Sequence, residues 1–178
     1  MMLSIWDWAE KIRILTMINL NELIIPAARK GEIEVLKELI TRGADVNYRD
    51  LKGYTPLIIA CYNNQAEAAK LLISAGADLN AADEGGNTAL MGVSFKGYTQ
   101  IAELLISGGA DLNLQHGNGG TALMFAAMFG RNEILKLLLD KGADASIQDV
   151  KGQDALELAA LQGNEEGIRI LEATKQNH

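Results

Sequence analysis

The sequence predicts an all-α solenoid of stacked helix–turn–helix units, and three observations predict it. Glycine recurs at a constant interval, at Gly53, Gly86, Gly119 and Gly152. Leucine recurs at the same interval, at Leu57, Leu90, Leu123 and Leu156, and the triplet Gly-Ala-Asp occupies 43–45, 76–78, 109–111 and 142–144. The windows 83–115 and 116–148 agree at 13 of 33 positions. A constant period of this length is typical of repeat arrays, in which each unit buries its apolar face against its neighbours.

The first helix of each unit has a clear start, as residues 50–82 illustrate. A turn precedes Thr55 and Pro56, which suit the N-cap and the first helical position. The helix is expected to continue through Cys61. We expect this cysteine to be a small buried core residue rather than a reactive thiol. The leucine Leu57 and its equivalents are predicted to be core residues.

The second helix of the unit follows a break at Asn64. Ala68, Leu71 and Leu72 have the i, i+3, i+4 spacing of one buried stripe, and Gly76 ends the helix. The break falls where the other units have glycine, which tolerates a positive φ: Gly97, Gly130 and Gly163. Each unit therefore consists of a helix, a turn, a second helix and an extended turn.

The repeating unit begins D-x-x-G-x-T-P-L, has a glycine between its two helices, and ends L-L-x-x-G-A-D-V/L-N. This unit resembles the ankyrin repeat. Without the consensus His after T-P-L, the chain is similar to small, bacterial ankyrin proteins. The resemblance implies antiparallel helix pairs whose extended turns project as short β-hairpin fingers. The implied division is an N-terminal amphipathic helix at 1–19, five repeats at 20–49, 50–82, 83–115, 116–148 and 149–173, and a tail at 174–178. The first and last repeats are expected to act as caps.

Composition narrows the classes of function. The 178 residues carry a net charge of −7, which argues against a nucleic-acid binder. The single cysteine cannot form an internal disulfide, and together with His116 and His178 it offers no metal-ligand spacing. No apolar run is long enough to predict a transmembrane segment, and no basic leader precedes an apolar run at the N-terminus. We therefore expect a cytoplasmic location.

No arrangement of residues predicts catalysis. The Asp of each Gly-Ala-Asp triplet is expected to hydrogen-bond nearby backbone in a recurring turn. The glycine-rich stretch 117–120 lacks the Lys and the helix of a phosphate-binding loop, and no nucleophile has a nearby His. His116, alone in that turn, is expected to be solvated or to cap it. We therefore predict that the protein is not an enzyme and binds no cofactor.

The residues that vary between units are the ones expected to bind a partner, because a stacked repeat fixes its core and leaves its exposed face free. In the ankyrin family the implied surface is concave and formed by the fingers and the first helices. Tyr62, Phe95, Met128 and Leu161 hold the same position in successive units and predict one apolar row. The alternative is that these side chains fold back as core. The predicted partner-binding residues are Tyr54, Tyr62, Asn87, Phe95, Lys96, Met128, Phe129 and Leu161.

The N-terminal segment 3–18 forms a second unexplained feature. Its apolar residues Ile5, Trp8, Ile12 and Leu15 have helical spacing, which predicts an amphipathic helix. Covering the exposed side of the first repeat is the favoured role. Self-association through 3–18, a partner contact and a membrane-surface contact are the alternatives, and the mixed charges make the last the weakest.

These observations together predict a non-catalytic module that binds an unidentified protein through its concave face. Two alternatives stay open. The chain resembles small bacterial ankyrin proteins that accompany oxidative-stress enzymes such as catalases, which favours an accessory or regulatory subunit of one enzyme. A small-molecule binder is less favoured, because the sequence offers no ligand set.

Overall fold

A computed structural model describes residues 19–175. This part of the chain contains ten α-helices and no strand, and none of its helices has the length and apolarity needed to cross a bilayer. In chain order the helices are α1 (Leu20–Lys30), α2 (Ile33–Thr41), α3 (Pro56–Tyr62), α4 (Ala66–Ser74), α5 (Ala89–Lys96), α6 (Thr99–Ser107), α7 (Ala122–Met128), α8 (Asn132–Asp140), α9 (Ala155–Leu161) and α10 (Glu165–Lys175). The predicted N-terminal helix at 3–18 lies outside the described residues.

The helices form five pairs that stack side by side. Each odd-numbered helix packs against the even-numbered helix that follows it. The odd-numbered helices also pack on one another in sequence and form an inner row, while the even-numbered helices form a more loosely contacting outer row. The all-α prediction is confirmed. The exact repeat boundaries stay predictions, and α10 extends to Lys175, into the predicted tail.

The inner helices begin at the residues that the repeat pattern indicates. The Oγ1 of Thr55 accepts a hydrogen bond from the backbone N–H of Ile58 at 3.2 Å, and Pro56 is the first helical residue. Thr88 and Thr121 cap α5 and α7 in the same way. Losing such a cap typically costs about 1 kcal/mol. The caps therefore fix where each inner helix starts.

The core runs through the whole stack. Leu57, Leu90 and Leu123 are each buried to 1% exposure, whereas Leu156, in the last inner helix, is only half-buried. The side chains in the consensus His position are buried in the core: Ile58, Met91 and Met124. The Sδ of Met91 also accepts a hydrogen bond from the backbone N–H of the N-cap Thr88 at 3.5 Å. Deleting a buried leucine side chain of this kind costs roughly 2–5 kcal/mol.

The connections between the pairs are turns, and the β-hairpin fingers implied by the resemblance are not seen as strands in residues 19–175. One isolated antiparallel bridge joins Ala82 to Thr88. Successive loops are linked instead by single backbone hydrogen bonds. The N–H of Glu84 donates to the carbonyl of Lys52 at 3.0 Å. The same link recurs from Gly117 to Gly85 and from Val150 to Asn118.

This close approach of the loops explains the glycine that recurs in successive turns. Gly53 has a φ of +75°, and a Cβ at this position would lie 3.0 Å from the backbone nitrogen of Glu84. A side chain is therefore excluded both by conformation and by the neighbouring backbone. Gly86 and Gly119 meet the following loop in the same way.

A ladder of asparagines fastens the units on the side of the Gly-Ala-Asp turns. Asn80 Oδ1 accepts a hydrogen bond from the backbone N–H of Asp111 at 2.8 Å. Asn47 and Asn113 make the same bond to the turn of the following unit. Each Asp carboxylate accepts a backbone N–H within its own turn, as the sequence predicts. At the end of the ladder Ser146 replaces Asn, and its hydroxyl donates to Asp144, which lowers the pKa of that carboxyl.

Candidate functional site

The C-terminal ends of the inner helices carry the predicted apolar row. Tyr62 ends α3, Phe95 lies next to the last residue of α5, Met128 ends α7 and Leu161 ends α9. Tyr62 is 45% exposed and Leu161 is 65% exposed, whereas Phe95 and Met128 are half-buried. We call the surface formed by the inner row and the loops between pairs the inner-row face.

The members of this row and their neighbour Phe129 differ in burial. Met128 is half-buried and packs against the core, and its part in partner binding stays a prediction. Phe129, the C-cap of α7, is 40% exposed. The exposed part of the row therefore consists of Tyr62 and Leu161, with Phe95 partly accessible between them and the exposed Phe129 beside the row.

Aromatic side chains from α5 and α7 form one cluster. The rings of Phe95 and Phe129 meet edge to face with centroids 4.6 Å apart. Phe129 also stacks on Phe125 at 6.4 Å, and Phe125 lies 5.3 Å from the imidazole of His116. We call Phe95, Phe125 and Phe129 the aromatic cluster. It joins two neighbouring helix pairs on the inner-row face.

Lys96 places a positive charge beside these rings. Its Nζ lies 4.4 Å from the ring centroid of Tyr62 and 5.7 Å from that of Phe95. A lysine in this position is attracted to the ring faces by about 0.5–1 kcal/mol where solvent has access. The ammonium group is thereby held at the edge of the row.

A groove of about 560 Å³ lies between α3 and α5, and we call it the main groove. Four of the predicted residues line it, namely Tyr54, Tyr62, Asn87 and Phe95. Gly92 is also part of its lining. A Cβ on Gly92 would meet only the Cδ2 atom of Tyr62, at an ordinary 3.6 Å.

A second groove of about 370 Å³ lies beside α7 and α9. Met128 lines it, and Phe125 is shared with the main groove. His116 lies at its edge, where Nδ1 accepts a hydrogen bond from the N–H of Asn118 at 3.1 Å. The Asp50 carboxylate accepts the same bond from the backbone N–H of Lys52 in an equivalent loop. The imidazole of His116 thus takes the place of that carboxylate. This agrees with the predicted capping role of His116.

The structure therefore gathers most of the predicted residues and leaves one apart. Lys96 and Phe129 contact groove-lining rings, but Leu161 lies with Lys151 and Glu157 in a shallow hollow at the end of the stack. Sequence reasoning missed Gly92 and Phe125. They occupy one register position, in which Ile59 and Leu158 also lie. The missing side chain at Gly92 in that column was a signal that could have been found.

A metal site and a reactive thiol each place requirements on the titratable groups of residues 19–175. No group of three or more His, Cys, Asp or Glu side chains there is placed to hold a metal. Cys61 is fully buried, and desolvation raises the pKa of its thiol to about 12. A thiol of this kind is unreactive at neutral pH, as the sequence predicts.

Comparison with known proteins places this architecture in a family. A family model described as ankyrin repeats (3 copies) matches residues 24–116 and 90–177. The chain therefore belongs to the ankyrin-repeat family, whose members generally mediate protein–protein interactions and are typically non-catalytic. A similar relative is Protein VAPYRIN-LIKE of Medicago truncatula, 41% identical over 46 residues. That match covers 26% of this chain and 10% of the relative.

Proposed function

We propose that the chain is a non-catalytic protein-binding module and that its partner binds the inner-row face, the concave face of the ankyrin resemblance. One observation carries the proposal: the exposed aromatic residues lie beside an open groove of about 560 Å³. Aromatic side chains of this kind are enriched at the centres of protein interfaces, where a partner buries them.

The exposure of these side chains supports binding over packing. Residues that only lock the repeats together, such as Leu90, are 1% exposed. Tyr62 and Phe129 are 45% and 40% exposed although they are large and apolar. Each leaves apolar surface in water that a partner would cover, with a gain of roughly 25 cal/mol per Å² buried.

A capture experiment with matched variants tests the proposal. The full chain serves as bait in an extract of its own source, beside a variant with Phe95→Ser and Phe129→Ser. Met128 stays unchanged because it packs against the core. Val35→Ser is the control, since Val35 is also 45% exposed but lies on α2 in the outer row.

We expect a protein that the wild type and Val35→Ser capture and that the double variant loses. The double variant also loses the contact between the two rings, so its melting temperature should fall by only a few degrees. A partner retained by the double variant would contradict the proposal. A melting temperature that collapses in the double variant would show that the aromatic cluster is core.

An accessory or regulatory subunit of one enzyme is the narrower form of this proposal, with an oxidative-stress enzyme as an example. Its test is the identity of the captured partner and the change in that enzyme's activity when the chain is added. The resemblance to small bacterial proteins supports it. A bacterial source and a cytoplasmic location stay predictions, which the captured partner and fractionation would test.

A small-molecule ligand is a second function that one observation favours. The main groove has a volume within the roughly 300–1,000 Å³ typical of ligand sites. A ligand-induced rise in melting temperature that Gly92→Leu abolishes would support it. Self-association through residues 3–18 is tested separately, by sedimentation of the chain with and without Trp8→Ser.

A further inference from the structure

We infer that the main groove binds an acidic peptide segment of the partner protein, and that this segment inserts one large apolar side chain over Gly92. The inference rests on the proposed function and narrows it to a class of partner. Three features of the groove carry it: the space above Gly92, the apolar walls around that space, and the charges at its edge.

The space exists because one residue in a register column has no side chain. Ile59 and Phe125 hold the position of Gly92 in the preceding and following units, and both have large side chains. Gly92 lies inside α5, where glycine is less stable than alanine by roughly 0.5–1 kcal/mol. Only Tyr62 would contact a Cβ placed there. The inner row therefore has an opening at α5 of side-chain size.

The walls of this opening suit an apolar side chain. Tyr62 and Phe95 present rings on two sides, and the side chains of Ile59 and Met91 close the groove against the core. Burying a large apolar side chain among such groups contributes roughly 1.5–3 kcal/mol. The side-chain amides of Asn63 and Asn87, which also line the groove, already donate within the protein, to the carbonyl of Ile59 and to the Asp83 carboxylate.

The charges at the edge favour an acidic segment. Arg29 and Lys52 line the groove, and Lys96 lies over the rings of Tyr62 and Phe95. Among residues 19–175 none of these three side chains forms an ion pair. They are cations that no carboxylate of the described chain neutralises by direct contact.

The one carboxylate in the groove lining, Asp83, accepts hydrogen bonds from its own loop. Asp83 Oδ1 accepts hydrogen bonds from the backbone N–H groups of Gly85 and Asn87, at 2.9 and 2.8 Å. The side-chain amide of Asn87 donates to both of its oxygens, at 3.1 and 3.2 Å. The groove lining therefore presents two cations, with Lys96 beside it, against one carboxylate that is already hydrogen-bonded.

This local charge has the opposite sign to the whole protein, whose net charge is −7. At physiological salt the Debye length is about 8 Å, so distant surface carboxylates are screened while the groove cations act on a bound segment. Recognition of an acidic segment is thereby confined to the groove. Its affinity should fall as salt is raised.

The test selects short random displayed peptides on the immobilised full chain. Enriched peptides are then synthesised and their affinities measured against four variants. Lys52→Glu reverses a groove cation, and Lys70→Glu makes the same change on the outer helix α4, where Lys70 is exposed. Gly92→Leu fills the opening, and the pair Phe95→Ser and Phe129→Ser removes the aromatic cluster.

We expect the enriched peptides to be acidic and to contain one large apolar residue. Gly92→Leu and Lys52→Glu should each weaken them by about tenfold or more, while Lys70→Glu should change affinity less than about twofold. Lys52 is exposed and its side chain forms no ion pair with residues 19–175, so the Lys52→Glu result does not depend on whether Gly92→Leu folds.

The two proposals can fail separately. Peptides that need the aromatic cluster but are neutral or basic, or that bind Lys52→Glu and Gly92→Leu as well as the wild type, would overturn the acidic-segment inference and leave the proposed function standing. Binding of a single-stranded oligonucleotide to the groove in place of peptides would also overturn it. Absence of any enriched peptide that depends on the aromatic cluster would count against both.

Discussion

Phe95 and Phe129 meet edge to face, with ring centroids 4.6 Å apart and ring planes at 86°. One ring belongs to α5, and the other belongs to the C-cap of α7. The contact thus links two successive helix pairs at their exposed ends. An edge-to-face pair adds stability beyond the area that each ring buries.

The first prediction is an energetic coupling between these two rings. In a double-mutant cycle with Phe95→Ala and Phe129→Ala, urea unfolding should give a coupling of about 0.5–1.5 kcal/mol. Additive effects of the two substitutions would show that the rings act independently. The cycle separates the contact from the loss of each side chain by itself.

A second prediction contrasts two glycines of the same segment. Gly92→Ala should raise the free energy of unfolding by roughly 0.5–1 kcal/mol, because the helix gains a better residue and the Cβ has room. Gly97→Ala should lower it by about 1 kcal/mol or more, since Gly97 has a φ of +87° and its Cβ would lie 2.9 Å from Arg131 Cδ. Urea denaturation measures both. Equal signs would mean that the space above Gly92 is misjudged.

The asparagine ladder gives a third prediction. Asn80→Ala removes the acceptor of the Asp111 N–H and should cost about 1 kcal/mol of unfolding free energy. Asn118→Ala is the control, because the Asn118 side chain makes no hydrogen bond to residues 19–175 and its substitution should cost little. Chemical denaturation of the two variants decides the matter. Similar losses of unfolding free energy in the two variants would show that the ladder bond does not stabilise the fold.

Cys61 makes a fourth prediction, about pH. Its pKa in the folded chain is raised from an ordinary 9.0 to about 12, so the unfolded chain ionises first as pH rises. The stability that this thiol contributes is therefore intact below pH 9 and is lost above it. By pH 10 the wild type should lose about 1.4 kcal/mol more than Cys61→Ala does. Denaturation of both proteins across this range measures the difference, and parallel curves would contradict it.

The sequence could predict the repeat, the caps and the core because these follow from local rules. Thr55 and Pro56 start a helix wherever they occur in this pattern, and a leucine at the same place in each unit defines a common interior. The sequence could not predict that Met128 is the more buried and Phe129 the more exposed of these two neighbours, because this depends on how adjacent helix pairs pack. The environment of Ser94 could not be predicted either. Ser94 holds the position of Cys61 in the next unit, and its buried hydroxyl has no hydrogen-bond partner among residues 19–175.

The sequence could predict which face carries the candidate site but not the groove on that face. The row from Tyr62 to Leu161 follows from spacing alone. The groove depends on the missing side chain at Gly92, which the sequence does show, and on the hydrogen bonds of Asp83, which depend on the folded loop. The loops also differ from the expected hairpins, since single backbone hydrogen bonds such as Glu84 to Lys52 replace strand pairing.

The most direct test of the central claim is the affinity of the captured partner for the inner-row face, measured by isothermal titration calorimetry. The purified partner is titrated into the wild type, the Phe95→Ser and Phe129→Ser variant, and Val35→Ser. Binding through this face predicts a dissociation constant raised by about tenfold or more in the double variant and unchanged in Val35→Ser. A dissociation constant equal in all three folded proteins would contradict the account.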